Sequence, residues 1–118
     1  MQSPIIETCV VASGQKKSTI INMRGKVLVG IITPAALTST ALKFLVGVAT
    51  ATNSDPAVSA CDKYLSSTSA DLSYTVAADK QISVAAETFL GVEFMVLEFG
   101  TNEAAARTVK LAFTTWGS

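Results

Sequence analysis

The sequence predicts an all-β protein, a jelly-roll-like antiparallel β-sandwich of about eight strands, in one domain spanning residues 1–118. Three observations favour this fold class. Apolar residues recur at every second position over short segments, which is typical of strands with one buried face. Turn-forming residues interrupt the chain about every ten to twelve residues. A chain of this length can also bury one core without metals or disulfides.

The first three predicted strands are separated by short polar turns. Residues 5–12 are apolar on both faces and form either a first strand or an extended N-terminal arm. A turn at Gly14, where positive φ carries no steric penalty, leads to a second strand at 18–23. The third strand, 26–33, ends before Pro34 because proline has no N–H to donate to a sheet.

The fourth predicted strand, residues 41–50, carries an apolar side chain on the face that should be polar. Leu42 and Phe44 alternate towards the core, and Lys43 points the other way. Leu45 shares the face of Lys43. We therefore expect Leu45 to be covered, either by the opposing sheet or by another subunit.

The second half of the chain contains five more predicted strands, joined by segments rich in turn-forming residues. Residues 57–65 read as irregular structure that ends in a short strand, although a short helix would also fit. The strands lie near residues 64–65 and at 72–76, 81–85, 91–99 and 107–116. Residues 87–90 form a helical turn or tight corner that inserts Phe89. In the last strand, Val109, Leu111 and Phe113 point inward.

The charge balance points to self-association. Charged residues make up only 15% of the chain, against about 25% in an average soluble domain, and the formal net charge is zero. A protein with few charges and zero net charge tends to associate, so we expect an oligomer or a lattice component. The alternative is an Ala-rich sandwich that remains monomeric. The neutral balance predicts no nucleic-acid partner, and the short apolar runs predict no membrane segment.

The residue types that most active sites need are missing. The chain has no histidine, the commonest general base, and its two cysteines are too few for a structural zinc site. Neither a Gly-rich phosphate loop nor a Gly-Xaa-Ser-Xaa-Gly elbow occurs. The sequence therefore predicts no enzyme, no cofactor, no metal and no small-molecule substrate.

We expect Glu93 and Lys110 to face each other across a final hairpin.

The two cysteines, Cys9 and Cys61, are expected to stay reduced. The first residues lack the basic region of a secretory signal, which favours a cytosolic chain in which thiols do not form disulfides. Tyr64, Tyr74 and Trp116 are the aromatic candidates for a sugar-stacking platform. Trp116 lies on the outward parity of its strand and would pack on a neighbour, stack on a ligand or close the end of the sandwich.

Three segments resemble small virion proteins of tailed bacteriophages: residues 29–44 (VGIITPAALTSTALKF), 74–94 (YTVAADKQISVAAETFLGVEF) and 105–111 (AARTVKL). The resemblance implies a jelly roll or related sandwich that acts as a capsid decoration (cement) protein. It also implies a homotrimer on the capsid surface that binds the major capsid protein and stabilises the head, after assembly in the bacterial cytoplasm.

Two other functions remain open. One is a carbohydrate- or receptor-binding module of a tail fibre or baseplate, and the other is a tail-tube or neck component. Apolar residues outside the expected core are the candidates for an interface with a partner. They are Ile5, Ile6, Val10, Val11, Leu45 and Trp116.

Overall fold

The computed structural model describes residues 5–47, 61, 63–66, 70–89 and 92–115, and this part of the chain contains nine strands. They are β1 (Ile5–Val11), β2 (Ile21–Asn22), β3 (Lys26–Ile32), β4 (Ala41–Gly47), β5 (Lys63–Tyr64), β6 (Ser73–Thr75), β7 (Gln81–Ser83), β8 (Phe94–Phe99) and β9 (Arg107–Thr115). A short 3₁₀ helix, Ala86–Phe89, precedes β8. The predicted continuations of two strands to residues 50 and 116 lie outside the described residues.

The strands form two antiparallel sheets with jelly-roll order. Sheet 1 has the order β1-β9-β3-β7, and sheet 2 has the order β2-β8-β4-β5. The short strand β6 pairs with β4 beside β5, so β5 and β6 together fill one strand position. If β5 and β6 are counted as one strand and the strands are renumbered 1 to 8 in chain order, sheet 1 has the order 1-8-3-6 and sheet 2 has the order 2-7-4-5. The predicted fold class is therefore confirmed.

Consecutive strands lie in opposite sheets except for β4, β5 and β6, which all belong to sheet 2. The β8–β9 connection is therefore no hairpin, and the expected contact between Glu93 and Lys110 is wrong. Glu93 instead lies 3.3 Å from Nε of Arg24, whereas Lys110 belongs to β9 in the other sheet. The prediction failed because the residues that turn a chain into a hairpin serve equally well to carry it across a sandwich.

Residues 5–11 form a strand and not an extended arm. β1 pairs with β9 over its whole length, from Ile5 opposite Phe113 to Val11 opposite Arg107. The strand is at the edge of sheet 1, with β9 on one side. The N-terminal segment is therefore built into the sandwich, although it remains at the sheet's border.

The core lies between the sheets and takes the inward residues that alternation predicted. Phe44 packs edge-on against Phe89, with ring centroids 4.9 Å apart, and against Tyr74 at 5.7 Å. The predicted corner is confirmed as the 3₁₀ helix, which inserts Phe89 with 1% of its surface exposed. Val109, Leu111 and Phe113 of β9 are fully buried, as expected.

Among the described residues, none belongs to a helix long and apolar enough to cross a membrane.

Candidate interaction surfaces

The outer face of sheet 1 is the side of β1, β9, β3 and β7 that points away from the core. On β1 and β9 it presents Ile6, Thr8, Val10, Thr108, Lys110 and Ala112. On β3 and β7 it presents Gly30, Ile32, Gln81 and Ser83. Among these residues only Lys110 is ionisable, so the face offers apolar and hydroxyl groups rather than a charge pattern.

Three candidate interface residues are exposed on β1. Ile6 is 50% exposed, and Ile5 and Val10 are each 40% exposed. Val11, by contrast, is fully buried in the core cluster, so its side chain cannot serve as a contact in this conformation. Alternation explains the difference, because Ile6 and Val10 share the outward side and Val11 follows on the inward side.

The free border of β1 is partly closed by the chain itself. The Thr19 N–H donates to the Val10 carbonyl at 2.9 Å, and the Val10 N–H donates to Oγ1 of Thr19 at 3.2 Å. A partner strand cannot pair with these groups, and such protection is how natural sheets limit edge-to-edge association. Side chains of the outer face are therefore better placed for contact than the strand edge.

Leu45 is covered, but neither by the opposing sheet nor by another subunit. It is 4% exposed and belongs to a second buried cluster with Cys61, Phe94 and Val96, against which Ile20 packs. Leu45 lies opposite Val96 across β4 and β8, on the outer side of sheet 2. The cover comes from the same chain, so Leu45 is not a free contact. Trp116, the last candidate, lies outside the described residues.

A polar cluster lies on the same outer side of sheet 2 as Leu45. The Tyr64 hydroxyl donates a hydrogen bond to Oε1 of Glu98, which raises the pKa of Tyr64. Nζ of Lys43 lies 3.3 Å from Oδ2 of Asp71 and 5.3 Å from the centre of the Tyr64 ring. We call these four residues the Tyr64 cluster.

An open depression of about 180 Å³ adjoins the Tyr64 cluster. Its lining residues are Lys16, Ala41, Lys43, Glu98, Phe99 and Gly100. Tyr64 does not line the depression but contacts two residues that do, Lys43 and Glu98, and it is 41% exposed, whereas Tyr74 is half-buried against Phe44. Of the three aromatic candidates, Tyr64 is therefore the one that the described structure leaves accessible.

A buried carboxylate joins the loops at one end of the sandwich. Oε1 of Glu103 accepts from the Thr38 N–H at 2.8 Å and from Nε of Arg107 at 3.0 Å. Oε2 accepts from the N–H and the hydroxyl of Ser39 at 2.9 and 2.6 Å. The backbone of Glu103 also exchanges hydrogen bonds with Gly14 and Gln15. One residue thus ties three loops together.

Burial alone would raise the pKa of Glu103, but its hydrogen bonds outweigh that effect. The donors are the Ser39 hydroxyl, the Thr38 N–H, Arg107 and the Ser39 N–H, and together they lower the pKa from 4.5 to about 2. The carboxylate is therefore ionised in the folded protein at neutral pH. The sequence does not single out Glu103, which is one of nine Asp and Glu residues in the chain.

We expect acid to destabilise the protein through Glu103. A folded-state pKa below the unfolded one gives stability that is complete above about pH 4.5 and is lost as the pH falls towards 2. The shift corresponds to about 3 kcal/mol. Urea unfolding between pH 7 and pH 2 measures this loss, and Glu103→Gln should flatten the acid limb. An unchanged acid limb in that variant would contradict the assignment.

A second loop contact involves the Thr-Pro connection that follows β3. Oγ1 of Thr33 donates to the Ala77 carbonyl at 2.7 Å and accepts from the Lys80 N–H at 2.7 Å. The Asp79 N–H donates to the Pro34 carbonyl, and Asp79 has a φ of 59°. The Thr-Pro connection is therefore an anchor for the turn between β6 and β7.

The two thiols lie in different clusters and are not joined by a disulfide. Cys9 is in the main core, where burial raises the pKa of its thiol to about 12. Cys61 belongs to the cluster on the outer side of sheet 2. A thiol held protonated in this way is a poor nucleophile, so Cys9 acts as a packing residue.

Within the described ranges, no three Cys, Asp or Glu side chains group closely enough to hold a metal ion. No protein-family model matches the chain, and a search of curated proteins finds no match either. Function must therefore be inferred from the fold and its surfaces.

Proposed function

We propose that this chain is a non-enzymatic structural protein of a tailed-bacteriophage virion, a decoration protein that binds the major capsid protein and stabilises the head. The observation that carries this proposal is the outer face of sheet 1. Ile6 and Val10 are 50% and 40% exposed there, and Lys110 is the single ionisable residue among the strand positions named for that face. An apolar surface with few charges resembles the central part of a stable protein interface.

The jelly-roll order supports the same proposal, since this architecture is common in viral capsid proteins, although fold alone never defines function. The proposal also rests on the resemblance of residues 29–44, 74–94 and 105–111 to phage virion proteins. The three loops that Glu103 joins by hydrogen bonds suit a protein that must keep its shape under mechanical load. Copies repeated over a lattice would multiply a standard interface of roughly 1,600 Å².

The first test locates the protein in particles. Mass spectrometry of purified virions should detect the chain, and cryo-electron microscopy should place it as trimers on the outer capsid surface. Density in a tail ring would favour the tail-tube or neck alternative. Absence from purified particles would reject the virion role altogether.

A second test concerns the docking face. Ile6→Lys and Val10→Lys should each weaken binding to undecorated capsids at least about tenfold, because each buries an unpaired charge where an apolar contact was. Thr75→Lys is the matched control, since it adds the same side chain to an exposed strand position on sheet 2, opposite Ala41. Equal binding by all three variants would place the contact elsewhere. Circular dichroism checks that each variant folds.

A further inference from the structure

The outer side of sheet 2 carries a second surface, separate from the face on which the proposed docking rests. Four elements bring its side chains together: Lys43 comes from β4, Tyr64 from β5, Glu98 from β8, and Asp71 from the approach to β6. The residues are far apart in sequence, and the sheet register places Lys43 opposite Glu98. The cluster is therefore a product of the fold.

The depression beside this cluster is open because its floor has small residues. Ala41 and Gly100 lie next to each other, and a Cβ added to Gly100 would come within 3.5 Å of the Ala41 Cβ. Larger side chains at these two positions would fill the space. With about 180 Å³, the depression is smaller than the roughly 300–1,000 Å³ of drug-sized sites, so it suits one small ring.

The polar groups around the depression are of mixed sign. Lys16 and Lys43 supply ammonium donors, of which Lys43 also pairs with Asp71, whereas Glu98 supplies carboxylate acceptors, and Oε1 of Glu98 is fixed by the Tyr64 hydroxyl. A simple anion would meet the Glu98 carboxylate, and a simple cation would meet the lysines. A ligand rich in hydroxyl groups can donate to the carboxylate and accept from the ammonium groups at once.

An aromatic surface completes the set. Tyr64 lies at the rim of the depression, where it contacts Glu98 and has Lys43 Nζ 5.3 Å from its ring centre, and it is 41% exposed. Sites for small molecules combine an apolar or aromatic wall with a few placed polar groups. We propose that the Tyr64 cluster and its depression form a saccharide-binding site that takes a single sugar residue, with the ring against Tyr64 and the hydroxyls between Glu98 and the lysines.

The test is a titration of the ¹⁵N-labelled full chain, followed by two-dimensional NMR. The probes are glucose, galactose, N-acetylglucosamine and N-acetylneuraminic acid, each added to high millimolar concentration because a shallow one-residue site binds weakly. At least one sugar should shift the amide signals of Lys43, Tyr64, Glu98 and Gly100. Absence of any such shift with all four sugars would overturn the proposal.

Variants separate a specific site from general surface contact. Tyr64→Ala and Glu98→Gln should each weaken the binding at least tenfold, and Lys110→Ala, on the outer face of sheet 1, should leave it unchanged. Binding that survives both cluster variants would overturn the assignment. Glu98→Gln preserves side-chain size, so the test stands even if Tyr64→Ala unfolds. A negative result would leave the virion role untouched, because the two surfaces lie on opposite sides of the sandwich.

Discussion

Replacing Glu103 with alanine should lower the free energy of unfolding by about 3–5 kcal/mol, the range seen when a buried ionic partner is removed. The Glu103 side chain is 0% exposed and that of Arg107 is 15% exposed. The substitution would leave the Arg107 guanidinium and the N–H groups of Thr38 and Ser39 without their acceptor. Ser39 is 2% exposed, so its N–H would lose the hydrogen bond without a replacement from solvent.

Urea unfolding at pH 7 measures this effect. Glu87→Ala is the matched control, because Glu87 is exposed and its removal should change stability by no more than about 0.5 kcal/mol. Glu103→Gln should fall between the two, since the amide keeps one acceptor but loses the charge. A loss below about 1 kcal/mol in Glu103→Ala would mean that the loops hold together without the carboxylate.

Replacing Phe89 with alanine should cost about 3–5 kcal/mol, because it would open a cavity between the sheets. The ring is 1% exposed and packs edge-on against Phe44 at 4.9 Å, a geometry that adds to simple burial. Phe89 is also the last residue of the 3₁₀ helix, so the cavity cannot close without moving that turn.

The same unfolding experiment tests this prediction, with Phe89→Leu as a control that keeps most of the apolar volume. The leucine variant should lose much less stability than the alanine variant. Small domains are stable by only about 5–15 kcal/mol, so the alanine variant should be studied at low temperature. If alanine and leucine cost the same, the ring would not be a packed part of the core.

Much of the fold could be predicted because alternation depends on burial alone. The last strand, the buried side chains of β4 and the corner that inserts Phe89 could all be predicted from the positions of the apolar residues, because folding removes those residues from water. Sheet membership could not be predicted in this way. Asn, Asp, Gly and Pro end a strand whether the chain turns back beside it or crosses to the other sheet, so the contact expected between Glu93 and Lys110 was misplaced.

The surfaces were harder to predict because their parts come from distant segments. Glu103 looked like any carboxylate in a polar turn, since its Ser39 donor lies 64 residues away in sequence. Leu45 was correctly expected to be covered, but its cover includes Cys61, which no local pattern connects to it. Tyr64 meets Glu98 across 34 residues, and only the register of sheet 2 brings them together.

The pairing of β1 with β9 also has a consequence for synthesis of the protein. β9 lies between β1 and β3, so the last of the nine described strands supplies the middle of sheet 1. Until β9 is available, the backbone of β1 lacks its neighbouring strand in sheet 1, and such unpaired strands are prone to aggregate. Sheet 1 therefore cannot assemble before β9 has been synthesised, and a chain that stops before residue 107 should remain sensitive to protease.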